Sequence, residues 1–452
     1  MHIAAHLDVE MIALETDDQV SVMIELRAPE LPVDRERVPS TLQIVLDRSG
    51  SMRGGRLSGA RTALAGLIDR LDPRDRFGLV IFDDSVDVPV PAGPLSDKAA
   101  AKRAIAGVRP RGGTDLSGGY LRGLQEARRV ATGAGATVLI ISDGHANRGV
   151  TDPGQLSAVA AEAYTHGVTT STLGFGLGYD ERVMSALARG GSGNEHFAEE
   201  PDTAAALIAG EVEGLLGQTV QAASLHVRPA PVTTEVLVVN DLPANAVDDG
   251  VLVELGSFHS GETRKLVLTF SVPGVAALGL TEVATLAFTY VELPALVQHT
   301  VTVPVHVNVV PGDQAAGRIP DPVVRTEIVY LRAQQAKKRA SDLLNSGDPE
   351  SALSEIRRAQ EEIRQARADA PEALAADLAE EDETLGYLAR ETRTGSASRS
   401  AKYLSASSYA RSHKRGRKYD TPPTPTPPPP SPEAGKPESG PDQDDDPGPA
   451  LS

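Results

Sequence analysis

The run Leu42-Gln43-Ile44-Val45-Leu46 ends in Asp47-Arg48-Ser49-Gly50-Ser51, and that junction constrains the fold more than any other stretch of the chain. A short apolar run bounded by turn residues reads as a buried strand. The strand delivers one carboxylate and two hydroxyls to a tight loop. The Gly-rich segment Met52-Arg53-Gly54-Gly55 follows, and helical spacing then begins. Open α/β sheets place their ligands in such loops, at the carboxyl ends of parallel strands. The oxygens are hard donors with no His or Cys among them, so they suit Mg²⁺, Mn²⁺ or Ca²⁺ rather than Zn²⁺. One carboxylate and two hydroxyls do not fill an octahedral shell, so other loops must contribute.

Two later stretches can do so. Arg111-Gly112-Gly113-Thr114-Asp115 presents a hydroxyl in a Gly-rich loop before a helix, and Val138-Leu139-Ile140-Ile141-Ser142-Asp143-Gly144 is a second buried strand ending in a carboxylate. Asp-x-Ser-x-Ser, then Gly-Gly-Thr-Asp, then strand-Ser-Asp-Gly resembles the von Willebrand factor type A (VWA) domain and its metal-ion-dependent adhesion site (MIDAS), over about residues 39 to 217. The resemblance implies metal-binding roles for Asp47, Ser49, Ser51, Thr114 and Asp143. Ser49 and Ser51 would be direct ligands, Asp47 and Asp143 would act in part through water, and Thr114 would be the ligand whose contact changes between conformations.

From Thr41 strands and helices alternate. Strands are expected at 42–46, 76–82, 86–90, 137–142, 168–174 and 195–198, with helical spacing between them, for example Leu57, Ala60, Leu64, Leu67, Ile68 and Leu71. This predicts a mostly parallel, doubly wound, Rossmann-like α/β sheet with one antiparallel edge. From about Gln218 the period switches to two, and six candidate strands between 224 and 309 suggest an all-β sandwich. Before residue 38, Val20, Val22, Ile24 and Leu26 alternate with Ser21, Met23 and Glu25 as a half-buried strand. Such early strands have no partner nearby in sequence. They can complete the later sandwich, so that the VWA domain (39–217) is inserted between 1–38 and 218–311, much as integrin β subunits insert theirs. Residues 321–393 read as three helices broken at Asn345-Ser346-Gly347-Asp348 and Pro371. From about 394 the composition predicts a disordered tail: Ser and Ala first, then the basic run Arg411 to Lys418, then a Pro-rich and acidic end.

Composition bounds the function. The chain has 452 residues, no Cys and no Trp, and a net charge of −18. Without Cys there is no disulfide, thiolate ligand or Cys nucleophile, which suits a reducing compartment. The N-terminus lacks a basic n-region and an apolar core of signal-peptide type, and no run of about 18 apolar residues occurs, so neither export nor a membrane span is expected. Acidity disfavours nucleic acid and anionic membranes as partners. No nucleophile with a partnered base stands out, and His145, two residues beyond Asp143, reads as a rim residue rather than a general base. Asp83, Asp84, Ser85 and Asp87 read as a solvated hairpin, not a second Ca²⁺ site.

The expectation is a cytoplasmic, non-enzymatic interaction protein. By the resemblance, a divalent cation, Mg²⁺ first, would bind an Asp or Glu offered by a partner protein. The alternative is a regulatory VWA subunit of an enzyme assembly, such as a chelatase-type complex with a separate AAA+ ATPase, because this chain has no Walker A motif.

Overall fold

A computed structural model describes residues 1–31 and 37–413. The chain opens with three strands, β1 (His2–Leu7), β2 (Met11–Ala13) and β3 (Asp18–Arg27). It then winds through β4 (Thr41–Asp47), a single 3-10 turn (Gly50–Met52), α1 (Gly55–Arg70), β5 (Arg76–Phe82), β6 (Val86–Pro94), α2 (Lys98–Gly107) and α3 (Leu116–Val130). β7 (Ala136–Ser142), α4 (Pro153–Thr165), β8 (Val168–Phe175), α5 (Glu181–Gly190), β9 (Ser192–Ala198) and α6 (Pro201–Leu216) complete that unit. Seven strands follow: β10 (Gln218–Pro229), β11 (Glu235–Val238), β12 (Ala244–Val247), β13 (Gly250–His259), β14 (Thr263–Val272), β15 (Gly279–Glu292) and β16 (Val297–Val310). The short α7 (Gly312–Ala315) leads to four longer helices, α8 (Pro322–Asn345), α9 (Pro349–Asp369), α10 (Glu372–Thr394) and α11 (Ala397–His413).

The α/β unit is one six-stranded sheet of order β6-β5-β4-β7-β8-β9, parallel except for β6. β4 lies in the middle, and all seven of its residues are buried. Leu42, Ile44 and Leu46 pack on one face against Leu57, Leu64 and Ile68 of α1 and Ile208 of α6. Val45 faces the other layer, with Tyr120 and Leu124 of α3 and Leu156 of α4. A central strand covered on both faces is apolar throughout, which is why 42–46 reads as a continuous run.

The remaining strands form two sheets, β1-β3-β14-β11 and β12-β13-β10-β15-β16-β2. β3 pairs antiparallel with β14 over ten residues, Ile24 opposite Leu266 and Val22 opposite Leu268. One apolar core draws on both sheets, with Val22, Ile24, Phe270, Leu225 and Phe288 among its members. β3 and β2 therefore find partners more than two hundred residues away, in β14 and β16, whereas β1, expected to lack a nearby partner, pairs antiparallel with β3 itself.

Four expectations need correction. β3 is not half-buried: Ser21 and Met23 are buried too, because Val324 and Leu331 of α8 cover its second face. β12 joins the six expected strands; its four residues are all exposed and carry no alternating pattern. The helical region has a fourth long helix beyond the three expected. That helix, α11, occupies 397–413, where disorder was expected from 394. Its apolar residues face two cores: Ala401 and Leu404 join the helical core and Ala406 joins the α/β core. Ser400, Ser407, Ser408 and Ser412 are buried; Ser408 Oγ donates to Gln334 O at 2.8 Å and Ser412 Oγ to Ser408 O at 2.8 Å, while Ser407 Oγ accepts from Lys337 Nζ at 3.1 Å. Arg411, Ser412 and His413 of the basic run belong to this helix; the rest of the run and the Pro-rich and acidic end lie outside the described residues. Among the described residues no helix is long and apolar enough to cross a membrane.

Candidate metal centre

Asp47 is the last residue of β4, and Ser142 ends the neighbouring β7, with Asp143 directly after it. Parallel register therefore sets the two carboxylates side by side at the carboxyl edge of the sheet. Backbone hydrogen bonds knit three loops around them: Gly50 N–H to Gly112 O at 3.1 Å, Arg111 N–H to Arg48 O at 2.8 Å, and Asn147 N–H to Thr114 O at 3.1 Å. Gly112 has φ +70°, a conformation glycine adopts without strain, and a Cβ there would stand 2.7 Å from Asp84 Oδ2.

All five residues singled out from the sequence come together. Ser49 Oγ and Ser51 Oγ are 2.9 Å apart, and Ser51 Oγ donates to Asp143 Oδ1 at 2.7 Å. Gly144 marks where the oxygens converge. A methyl group placed on it would stand 3.2 Å from both Ser51 Oγ and Thr114 Oγ1 and 3.7 Å from Asp47 Oδ2. The cradle is thus open because residue 144 has no side chain. Its donors are two carboxylates and three hydroxyls, a hard-oxygen set that fits Mg²⁺ or Mn²⁺.

Asp47 is fully buried. Its Oδ1 accepts the Ser49 N–H at 2.6 Å and its Oδ2 the Ser142 hydroxyl at 2.6 Å. Burial pushes its carboxyl up to about 6, the nearby Asp143 adds to the rise, and these hydrogen bonds only partly oppose it. The protein thus holds an unstable anion in place, a condition a cation relieves.

Three features were not read from the sequence. Ser142 orients Asp47, and the motif Ser-Asp-Gly contained the signal. Arg56 donates to Asp143 Oδ2 at 2.7 Å; the available signal was a cation in the first turn of α1, where the helix dipole disfavours it. The hairpin tip is not simply solvated. Asp83 is buried, accepts from Arg111 Nε at 2.6 Å and the Ser85 hydroxyl at 2.9 Å, and pairs with Arg48 at 2.8 Å. Burial alone would raise its carboxyl, but Arg111, Ser85 and Arg48 together hold it down to about 2. Asp83 therefore staples the loop bearing Ser49 to the loop bearing Thr114. His145 is exposed at the rim, with Nδ1 3.7 Å from Asp180.

Residues 42–210 match the model of the von Willebrand factor type A domain. This chain contains a VWA domain. A Synechocystis sp. protein, uncharacterized protein sll0103, is 32% identical over 168 residues, covering 37% of this chain and 40% of that protein. The match thus spans well under half of that relative. A solved structure described as von Willebrand factor type A from Catenulispora acidiphila superposes with a TM-score of 0.69 at 17% identity, over 90% of this chain and 96% of that one. The ArnB paralog VWA2 from Sulfolobus acidocaldarius does so with a TM-score of 0.60 at 14% identity, over 89% and 97%. At such identities the likeness is one of fold, and it reaches past the VWA domain into the further sheets and the helical region.

Proposed function

We propose that the chain is a cytoplasmic, non-enzymatic interaction protein whose VWA domain binds a partner protein through a resident divalent cation, Mg²⁺ in the first instance. Asp47, Ser49, Ser51, Thr114 and Asp143 would hold the ion. The convergence of Ser51, Thr114 and Asp47 oxygens on the space above Gly144 is the observation that carries this reading. When bound, the ion supplies a Lewis-acidic position that an Asp or Glu of the partner completes. The residues of the chain do the rest. Asp47 and Asp143 supply the charge that retains a cation, and Ser142 and the Ser49 N–H fix the Asp47 carboxylate. Thr114 contributes one neutral oxygen from a separate loop. On a chain of net charge −18, a partner carboxylate is repelled unless the site is locally neutralised, and a divalent cation reverses the local field.

On the same reading the strands before residue 38 and those of 218–311 form one β-sandwich into which the VWA domain (39–217) is inserted, followed by the helical region. The pairing of β3 with β14 supports this.

Two measurements test the function. Calorimetric titration of the full chain with Mn²⁺ should give binding that Asp47→Ala abolishes; equal heats for the two proteins would remove Asp47 from the site. Proteins captured from a lysate in Mg²⁺ should be released by EDTA and fail to bind Asp47→Ala. Capture indifferent to both would refute metal-dependent recognition.

A further inference from the structure

Arg56 is the second residue of α1, one turn beyond Ser51. Its Nη1 lies 2.7 Å from Asp143 Oδ2 and 3.2 Å from the carbonyl of Ser51. The guanidinium lies against Gly176, where a Cβ would come within 3.1 Å of Nε, Cζ and Nη2. Gly176 has φ +77°, so both its conformation and the space above it exclude a side chain.

This placement is costly. A cation in the first turn of a helix opposes the helix dipole, and fixing a long side chain loses rotamer entropy. Asp143 offsets the cost. Its side chain is fully buried, it neighbours the buried Asp47, and Arg56 is the one cation paired with it among the described residues. The arginine itself is 39% exposed, so it can leave toward solvent while the aspartate cannot. The pairing occupies one Asp143 oxygen, Oδ2, while Ser51 holds the other, so both oxygens are engaged.

We propose that Arg56 is the resident counter-ion of the metal site: it neutralises Asp143 while no divalent cation is bound, and it must give up that carboxylate oxygen when one binds. The inference rests on the metal-binding reading above. It makes metal affinity a difference between two ion pairs, so that Arg56 sets the divalent concentration at which the site loads. It also explains how two buried carboxylates are tolerated in the metal-free protein.

The full-length wild type and Arg56→Gln serve as the test, with Mn²⁺ as the probe. Arg56→Gln should melt below wild type in EDTA, recover most of the deficit in saturating Mn²⁺, and bind Mn²⁺ about three- to tenfold tighter, the range for one partly exposed charge beside a divalent ion. An equal deficit with and without Mn²⁺, or unchanged or weaker Mn²⁺ affinity, would overturn the proposal. A second measurement needs no variant. Phenylglyoxal labelling of Arg56 in the wild type, read by mass spectrometry, should be slow in EDTA and fast in Mn²⁺. Labelling that ignores the ion while calorimetry shows it bound would refute displacement of Arg56 and leave the metal site standing. If calorimetry shows no Mn²⁺ binding to wild type, the metal-binding reading itself fails and takes this proposal with it.

Discussion

Asp47→Asn should make the metal-free protein more stable while abolishing its response to metal. Asp47 is buried, and its carboxyl sits at about 6 in the fold against 3.8 ordinarily. An acid whose folded value is raised binds its proton more tightly in the native state. Its stabilising protonation is fully present below pH 3.8 and is lost as pH rises through about 6. Above that, ionised Asp47 costs the fold about 3 kcal/mol, at about 1.4 kcal/mol per pH unit. Asparagine keeps the shape. Its carbonyl can accept the Ser49 N–H, and its amide can donate to Ser142 Oγ, which is then free to accept.

Allowing for imperfect geometry, about 2 kcal/mol should be recovered, or roughly 4–8 °C in Tm for a domain of this size. Thermal melts of the full chain in EDTA at pH 7.5 should show this rise. The advantage should shrink as the pH of both melts is lowered through 6, where wild-type Asp47 takes up its proton. Mg²⁺ at about a hundred times Kd should then stabilise wild type by about 2.7 kcal/mol and leave the variant unmoved. A variant less stable than wild type in EDTA would refute the argument that Asp47 is a strained anion. A variant still stabilised by Mg²⁺ would refute its role as a ligand.

Three further outcomes follow from other parts of the molecule. Asp83 is held near 2, so its stabilising charge is present above pH 3.8 and lost as pH falls toward 2; denaturant titrations should find Asp83→Asn about 2 kcal/mol less stable than wild type at pH 7 and equal to it near pH 2. Lys337 and Glu381 are fully buried 2.5 Å apart, with Arg411 also 2.5 Å from Glu381; Glu381→Ala should cost about 3–5 kcal/mol, and Lys337→Met with Glu381→Met much less than either single change. Ile24→Ala should cost about 3 kcal/mol in melts that report on the two further sheets, because Ile24 is buried between β1 and β14; Mn²⁺ affinity should not change.

What the sequence revealed and what it hid divides by range. The candidate site was legible because its chemistry is local to strand ends: an apolar run, then Asp-x-Ser-x-Ser, reports both the element and the residues it delivers. Arg56 was hidden because its partner is 87 residues away, and no spacing rule joins a helix arginine to a carboxylate in another loop. The double winding of the sheet was legible from alternating periods. The burial of Ser21 and Met23 was not, because the helix covering them begins about three hundred residues later. Helix α11 escaped for a compositional reason. A Ser- and Ala-rich segment lacks an apolar stripe, but small side chains permit close helix approach, and the buried hydroxyls of Ser408 and Ser412 donate to backbone carbonyls.

That helix also reaches the rim of the candidate metal site. Lys402 is almost wholly buried; its Nζ donates to the carbonyl of Tyr179 at 2.8 Å, pairs with Glu181, and lies 4.2 Å from the Tyr179 ring centre. Tyr179 ends the loop 176–179, whose Gly176 backs the Arg56 guanidinium and whose Gly178 would place a Cβ 3.0 Å from the carbonyl of Asp143. A helix near the end of the described chain therefore supports the loop against which Arg56 rests. Lys402→Met keeps the aliphatic stem but strips the donor from the Tyr179 carbonyl and leaves Glu181 with a lost cation. The expected destabilisation is about 2–4 kcal/mol. Its signature should be local: amide exchange in 176–180 should accelerate more than in β4 or β7, and Arg56 should become more reactive toward phenylglyoxal in EDTA. If Lys402→Met lowers Tm but leaves exchange in that loop and Arg56 reactivity as in wild type, α11 serves the packing of the molecule and not the rim of its candidate metal site.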